Sequence, residues 1–154
     1  QYQIGIIPGH RPSGLLDYMP LFGEAMSLYC GQTHPLFSGQ TQPLDWEALR
    51  HQRFAGLGYH SPNMEVSLRE RLPRRATGFD QESIATLILS GQFLGFLPEH
   101  YAQSFVRAGQ VRALQSDVLR YDCQFFAITR RSPEPGRATR VFLDCLAQAH
   151  GVVP

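Results

Sequence analysis

Tyr59, His60 and Ser61 offer a phenol ring, an imidazole and a hydroxyl side by side in the segment RFAGLGYHSPN. They follow Gly58, which ends a short apolar run. Ser61 before Pro62 is typical of a helix start, where the hydroxyl caps a main-chain N–H and the proline needs no donor. Because a helix start attracts anions, the pattern predicts a site for a small anion, which Gly58 would allow to approach closely. A plain helix cap is an equally good interpretation of Ser61.

Two further segments place polar or aromatic residues at the end of an apolar run. In GFDQES, Phe79 and Asp80 lie between a predicted strand and a predicted helix, and a plain N-cap is the alternative for Asp80. In IIPGH, the first predicted strand ends at Pro8, Gly9 and His10. Ligands of open α/β sheets bind beyond the carboxyl ends of strands, so all three segments are candidate binding corners.

Motifs of catalysis and metal binding are absent from the sequence. The six histidines are never spaced at i, i+4, and HExxH, GxSxG, GxGxxG and GxxxxGK[ST] do not occur. Cys30, Cys123 and Cys145 form no CxxC, which favours partly buried thiols in a reducing cytoplasm over a redox or metal role. We therefore predict no catalytic residue, no metal and no cofactor; a Cys–His pair distant in sequence is the open alternative.

Composition limits the partners of the chain. Its 154 residues are 43% hydrophobic, enough for one domain with a real core. The net charge of +1 gives no strong field for nucleic acid, and the basic stretch LRERLPRRA is interrupted by an acid and a proline. No apolar run is long enough for a membrane helix, and QYQIGIIPGH lacks the features of an export signal.

Short apolar runs alternate with helical patterns along the chain. Apolar residues Ile84, Leu87 and Ile88 at i, i+3 and i+4 predict a helix in DQESIATLILSGQ, which Gly91 would end. Pro98 is predicted to end the short strand FLGFL and to lie in the first turn of the next helix. The alternation indicates an α/β fold with a mainly parallel sheet covered on both faces.

Four segments, taken in their order along the chain, resemble the C-terminal effector-binding region of LysR-type transcriptional regulators. LILSGQFLGFLPEHYAQSFVRAGQVRAL resembles the family's helix, glycine-bounded strand, proline and second helix. PLFGEAMSLYCGQTHPLF resembles its crossing strand and His-Pro-Leu segment, here His34, Pro35 and Leu36. LDWEALRHQRFAGLGYHSP resembles the short helix and strand that follow, and VFLDCL the closing helix. The resemblance covers nearly the whole chain.

The resemblance implies an α/β fold of the type 2 periplasmic-binding-protein kind. Two lobes would be joined by two crossing strands, residues 24–31 and 121–129, with a small effector bound between the lobes. Residues 32–120 would form a complete second lobe. Residues 1–23 and 130–154 would form a first lobe that is incomplete in this sequence.

The function implied by the resemblance is effector sensing in a bacterial, cytoplasmic transcription regulator. The effector would be a small molecule such as a carboxylate, bound by the corner residues named above together with Gly95 and Phe96, where Gly95 leaves room at the cleft. DNA would be bound only through a helix-turn-helix absent from this sequence, and the full-length protein would be a homodimer or homotetramer. Alternatives are a transport-type solute-binding protein of the same fold and an α/β enzyme that uses His60.

Overall fold

Strands and helices alternate along the chain. The computed structural model describes residues 2–9, 11–39, 44–114 and 117–152. In chain order the elements are β1 (Ile4–Pro8), β2 (Leu16–Gly31), α1 (Trp46–Leu49), β3 (Phe54–Leu57), α2 (Pro62–Arg69), β4 (Arg74–Gly78), α3 (Gln81–Leu89), β5 (Gly95–Pro98), α4 (Glu99–Arg107), β6 (Val111–Ala113), β7 (Arg120–Arg130) and α5 (Arg137–Ala149). Among the described residues, no helix is both long and apolar enough to cross a membrane.

Tertiary contacts divide the chain into two compact units. Unit 1 comprises Gln1–Glu24 and Cys123–Pro154, and unit 2 comprises Ala25–Asp122. β2 carries the chain from unit 1 into unit 2, and β7 carries it back. These two strands therefore contribute residues to both units.

The strand pairing is mixed, so the expectation of a mainly parallel sheet is wrong. β1 pairs with β7, and β2 pairs with β5 and with β6, all antiparallel. β3 and β4 pair in parallel, and a parallel bridge from Phe54 to Leu94 links β3 to the start of β5. Only the strands joined by the crossover helices α2 and α3 keep the parallel arrangement that the alternation of strands and helices predicts.

Alternate residues of β3 pack into two different apolar clusters of unit 2. Phe54 joins Val66 of α2 in the first cluster. Ala55 and Leu57 join the second cluster, which contains Ile84 of α3. Because successive strand side chains point to opposite faces, α2 and α3 cover opposite faces of β3.

Gly95 allows α3 to pack directly against β5. A Cβ atom at this position would lie 2.9 Å from Cδ1 of Ile88 and 3.1 Å from Cγ2 of Ile84, both of α3. Both isoleucines are almost fully buried, so they have little room to move away. The helix itself ends where the sequence predicts, with Gly91 at a φ of 70°.

Pro98 ends a strand, as the sequence predicts, but it does not lie in the first turn of the helix that follows. It is the last residue of β5 and occupies the N-cap position of α4, with a φ of −56° and a ψ of 134°. It therefore precedes the first turn of α4.

Unit 1 is built from β1, its antiparallel partner β7, the first part of β2, and α5. Thr139 of α5 donates a hydrogen bond to Oε1 of Gln3 at 2.6 Å, which ties the helix to the residues before β1. The ring of Phe22 stacks on Phe125 at 5.0 Å and on His150 at 5.2 Å, measured between ring centroids. These contacts hold β2, β7 and the end of α5 together.

His34 is a buried histidine whose tautomer the structure fixes. Its Nδ1 accepts the main-chain N–H of Leu36 at 3.2 Å, so in the neutral ring the proton is on Nε2. Burial lowers the pKa of His34, because the imidazolium would lose its hydration. The His-Pro-Leu segment thus closes a turn at the end of β2 in unit 2.

Replacing Gly95 with alanine should destabilise the chain by about 1–3 kcal/mol, because the added methyl group overpacks the α3–β5 contact. Denaturant unfolding of the variant measures the loss. Gly14→Ala is the matched control, since a Cβ there meets nothing within 4 Å. Equal midpoints for the two variants would contradict the proposed packing role.

Acid should destabilise the wild type more than a His34→Asn variant. The folded pKa of His34 lies below its unfolded value of about 6.5, so below that pH the unfolded chain binds a proton that the folded chain resists. Asparagine keeps an acceptor for the Leu36 N–H but does not titrate. Unfolding free energies measured from pH 8 down to 5 should therefore fall more steeply in the wild type; parallel curves would disprove this.

Candidate functional site

The β3–α2 corner, defined here as residues 58–61, follows directly on the end of β3. Ser61 is the N-cap of α2 in extended conformation, and its Oγ accepts the N–H of Met64 at 3.3 Å. Only 1% of Ser61 is exposed. A hydroxyl that is buried and already engaged favours the helix-cap interpretation of Ser61.

The first turn of α2 has few main-chain donors left for a ligand. Pro62 has no N–H, the Ser61 hydroxyl takes that of Met64, and the Ser61 carbonyl takes that of Glu65 at 3.0 Å. The residue between Pro62 and Met64, Asn63, is buried, with 4% of its surface exposed. The helix start alone is consequently a weak anion site.

Tyr59 and His60 occupy the turn between β3 and α2. Tyr59 is 43% exposed. Nε2 of His60 lies 3.3 Å from Oε1 of Glu65, an acid of the first turn of α2. The imidazole is therefore held toward its own helix, and the exposed ring of Tyr59 is the apolar surface that this corner offers to a ligand.

The β4–α3 corner, defined here as Phe79 and Asp80, lies beside the β3–α2 corner. The N–H of Gly58 donates to the carbonyl of Gly78 at 2.8 Å, and a Cβ on Gly58 would lie 2.8 Å from the Phe79 ring. The space above Gly58 is thus occupied by Phe79 and by Thr77, whose Cγ2 would lie 2.6 Å from the same Cβ. Even so, 72% of Phe79 is exposed.

Asp80 caps α3 with its carboxylate. Oδ1 accepts the N–H of Ser83 at 2.7 Å and the hydroxyl of Ser83 at 2.5 Å. These hydrogen bonds lower the pKa of Asp80, so the group is ionised at neutral pH. Its charge is committed to the helix cap, the alternative that the sequence left open.

Gly95 and Phe96 lie in the core of unit 2. The Phe96 ring is 2% exposed, with its centroid 5.2 Å from that of Tyr121 and 6.2 Å from that of Trp46. The missing side chain of Gly95 leaves room for α3, as described above. The structure therefore gives both residues packing contacts and no surface for a ligand.

Pro8 and Gly9 belong to unit 1. Pro8 ends β1 opposite Phe125 of β7. The N–H of Gly9 donates to the Gln124 carbonyl at 2.8 Å, and its Cα lies directly beside the Phe126 ring. His10 lies outside the described residues.

Chemistry other than ligand binding has little support in the described residues. They contain no group of three His, Cys, Asp or Glu side chains that could hold a metal ion. Burial raises the pKa of the Cys30 and Cys123 thiols to about 11, so both are protonated and unreactive at neutral pH. Cys145 is exposed on α5.

Asn63 and Arg74 complete the corner, and sequence reasoning missed both. Leu57, the last residue of β3, donates its N–H to Oδ1 of Asn63 at 3.1 Å and accepts a hydrogen bond from Nη1 of Arg74 at 2.8 Å. The spacing of Gly56 and Gly58 indicates a strand face that lacks side chains at two positions, so that a long side chain could cross it. The strand register that brings Arg74 there is not visible in the sequence.

Comparison with known proteins connects this arrangement to transcription regulators. The family model of the LysR substrate binding domain matches residues 1–151. The HTH-type transcriptional activator BauR of Pseudomonas aeruginosa is 31% identical over 144 residues, which are 94% of this chain and 47% of BauR. The chain thus spans about half the length of this curated relative.

Solved regulatory domains share the fold. The regulatory domain of CcmR from Synechocystis PCC6803, in complex with 2-PG, is 18% identical with a TM-score of 0.76, over 96% of this chain and 73% of that one. The effector binding domain of QuiR, in complex with shikimate, is 12% identical with a TM-score of 0.79, over 97% and 72%. The chain has the type 2 periplasmic-binding-protein-like α/β fold of these domains.

Ser61→Ala should lower the unfolding free energy by about 0.5–2 kcal/mol, because Met64 loses its cap. Ser67→Ala in the same helix is the matched control. The Ser67 hydroxyl donates to the Asn63 carbonyl at 2.8 Å, a bond within the helix that contributes little. Denaturant unfolding compares the two variants, and an equally small change in both would refute the capping role.

Proposed function

The chain belongs to the LysR substrate-binding domain family, and from this premise we propose that the β3–α2 and β4–α3 corners of unit 2 bind a small anionic effector. The family consists of effector-sensing domains of transcription regulators and is not an enzyme family. Tyr59 and Phe79 would contact the apolar part of the effector. Gly58, His60, Ser61 and Asp80 would shape the corners through the contacts described above.

The exposure of Phe79 is the observation that carries this proposal. A phenylalanine that is 72% exposed loses the hydrophobic stabilisation that burial would give, and a ligand stacked on the ring would recover it. Tyr59 adds a second exposed ring at the neighbouring corner. The carboxyl ends of paired parallel strands are also where open α/β sheets bind ligands.

A carboxylate is the anion we propose for the effector. QuiR binds shikimate and CcmR binds 2-PG with the same fold, which supports a small anionic metabolite here. The partial positive charge at the start of α2 favours the same class. The corner of Pro8, Gly9 and His10 stays a prediction from the sequence.

We infer that the chain acts within a longer, cytoplasmic regulator. BauR, of which the chain spans about half, is an HTH-type activator, so DNA would be bound through a helix-turn-helix outside this sequence. Effector binding would change the equilibrium between two states of the regulator, and with it DNA contacts. We propose a homodimer or homotetramer as the functional assembly.

The two alternatives derive no support from the matches. A transport-type solute-binding protein shares the fold, but both the family match and the curated relative are regulators. The alternative of an enzyme that uses His60 relied on a Cys–His pair, whereas the His60 imidazole contacts the Glu65 carboxylate.

A thermal-shift screen of small carboxylates, shikimate among them, tests the proposal. Each carboxylate is paired with its neutral amide. A ligand present at about 100 times its Kd should stabilise the chain by roughly 2.7 kcal/mol. Phe79→Ala should reduce this ligand-induced shift while changing the basal stability by only about 0.5 kcal/mol, because the ring is exposed.

Phe142→Ala is the matched control, since Phe142 is a half-exposed phenylalanine of α5 in unit 1. It should leave the ligand-induced shift unchanged. A shift that survives in Phe79→Ala but disappears in Phe142→Ala would place the ligand elsewhere. A panel in which the amides stabilise as well as the carboxylates would refute an anionic effector.

A further inference from the structure

Arg74, the first residue of β4, extends across β3 at Gly56. Its Cδ lies 3.0 Å from the position that a Cβ on Gly56 would occupy, so the side chain runs directly over this glycine. Its Nη1 then donates to the carbonyl of Leu57 at 2.8 Å. The guanidinium is thereby fixed at the carboxyl end of β3, although Arg74 is exposed to solvent.

Arg74 is also close to the start of α2. The side-chain oxygen of Asn63 lies 3.3 Å from the same point above Gly56 that the arginine passes at 3.0 Å. Asn63 is the second residue of α2. The Arg74 side chain therefore passes beside the start of this helix.

The charge of Arg74 is not neutralised locally. In the described part of the chain, no salt bridge involves Arg74. The acids of the neighbouring helix starts have other partners, Glu65 at His60 and Asp80 at Ser83. An arginine has five N–H donors in a planar fork, and the Leu57 carbonyl uses one of them.

We propose that Arg74 binds the carboxylate of the effector at the β3–α2 corner; this rests on the effector site proposed above and identifies its anion-binding residue. The start of α2 supplies part of a helix dipole, which is a weak attraction for an exposed anion. A guanidinium forms charge-assisted, often bidentate hydrogen bonds with a carboxylate, which are about twice as strong as neutral ones.

The Leu57 contact makes the guanidinium a better receptor. A free arginine side chain loses rotamer entropy when it binds a ligand. Here the hydrogen bond to Leu57 and the passage over Gly56 have already ordered the side chain. The exposed rings of Phe79 and Tyr59 lie at the same ends of β3 and β4, so an aromatic or cyclic carboxylate fits both the charge and the apolar surface.

Titration with benzoate, followed by amide and arginine Nε–Hε chemical shifts in NMR spectra of the chain, tests the assignment. Benzoate should shift the signals of Arg74, Asn63 and Phe79, and neutral benzamide should bind more weakly. Arg74→Gln should weaken benzoate binding roughly 10- to 100-fold, as expected for loss of a charge-assisted hydrogen bond. Arg74→Lys should be intermediate, because it keeps the charge but not the fork.

Arg75→Gln is the matched control, because it removes the same charge from the bulged residue between Arg74 and Ala76. It should leave benzoate binding nearly unchanged. If Arg74→Gln reduces stability through the lost Leu57 contact, the benzoate-to-benzamide preference of the folded variant still reports on the role of the charge.

Two results would overturn the assignment. Benzoate shifts that persist in Arg74→Gln at both corners would leave the effector site standing and remove Arg74 from it. Absence of benzoate shifts at Arg74 in the wild type would also exclude it as a carboxylate receptor. The effector site itself fails on separate evidence, namely when no carboxylate of the thermal-shift screen stabilises the chain.

Discussion

The end of β3 depends on two hydrogen bonds that its neighbouring strand does not provide. Leu57 is buried, and a buried main-chain N–H or C=O without a partner costs about as much as a lost hydrogen bond. Asn63 of α2 satisfies the N–H, and Arg74 of β4 satisfies the carbonyl. Leu57 therefore ties the first turn of α2 and the Arg74 side chain to the end of β3.

The residues of β3 and the glycine that follows it alternate in size. Phe54, Ala55 and Leu57 fill apolar clusters beneath α2 and α3. Gly56 and Gly58 leave a low surface, across which Arg74 and Phe79 lie. Larger residues at the two glycine positions would collide with these side chains. Core packing and an exposed polar–aromatic surface are thus supplied by one strand of four residues and the glycine that follows it.

Local features of the sequence were sufficient to predict the helix starts. Ser61 and Asp80 cap α2 and α3, since capping depends on residues only three positions apart. The packing of Gly95 against α3 was not predictable in this way, and we expected it at a ligand cleft. The clash that requires a glycine there comes from Ile84 and Ile88, and only the tertiary fold shows it. The position of Arg74 likewise depends on a β-bulge that sets the β3–β4 register.

The choice of effector must lie in side chains, because the backbone is shared. CcmR and QuiR have the same fold as this chain at 18% and 12% identity, yet one binds 2-PG and the other shikimate. Here, Pro62 and the Ser61 cap reduce the main-chain donors that a helix start could offer to any anion. In the proposed site, recognition would depend on a guanidinium, which favours planar oxyanions, and on two exposed rings, which favour a flat apolar body. Changes at Tyr59, Arg74 and Phe79 would therefore alter the preferred ligand while the hydrogen bonds of Leu57 to α2 and the packing of α3 keep the fold intact.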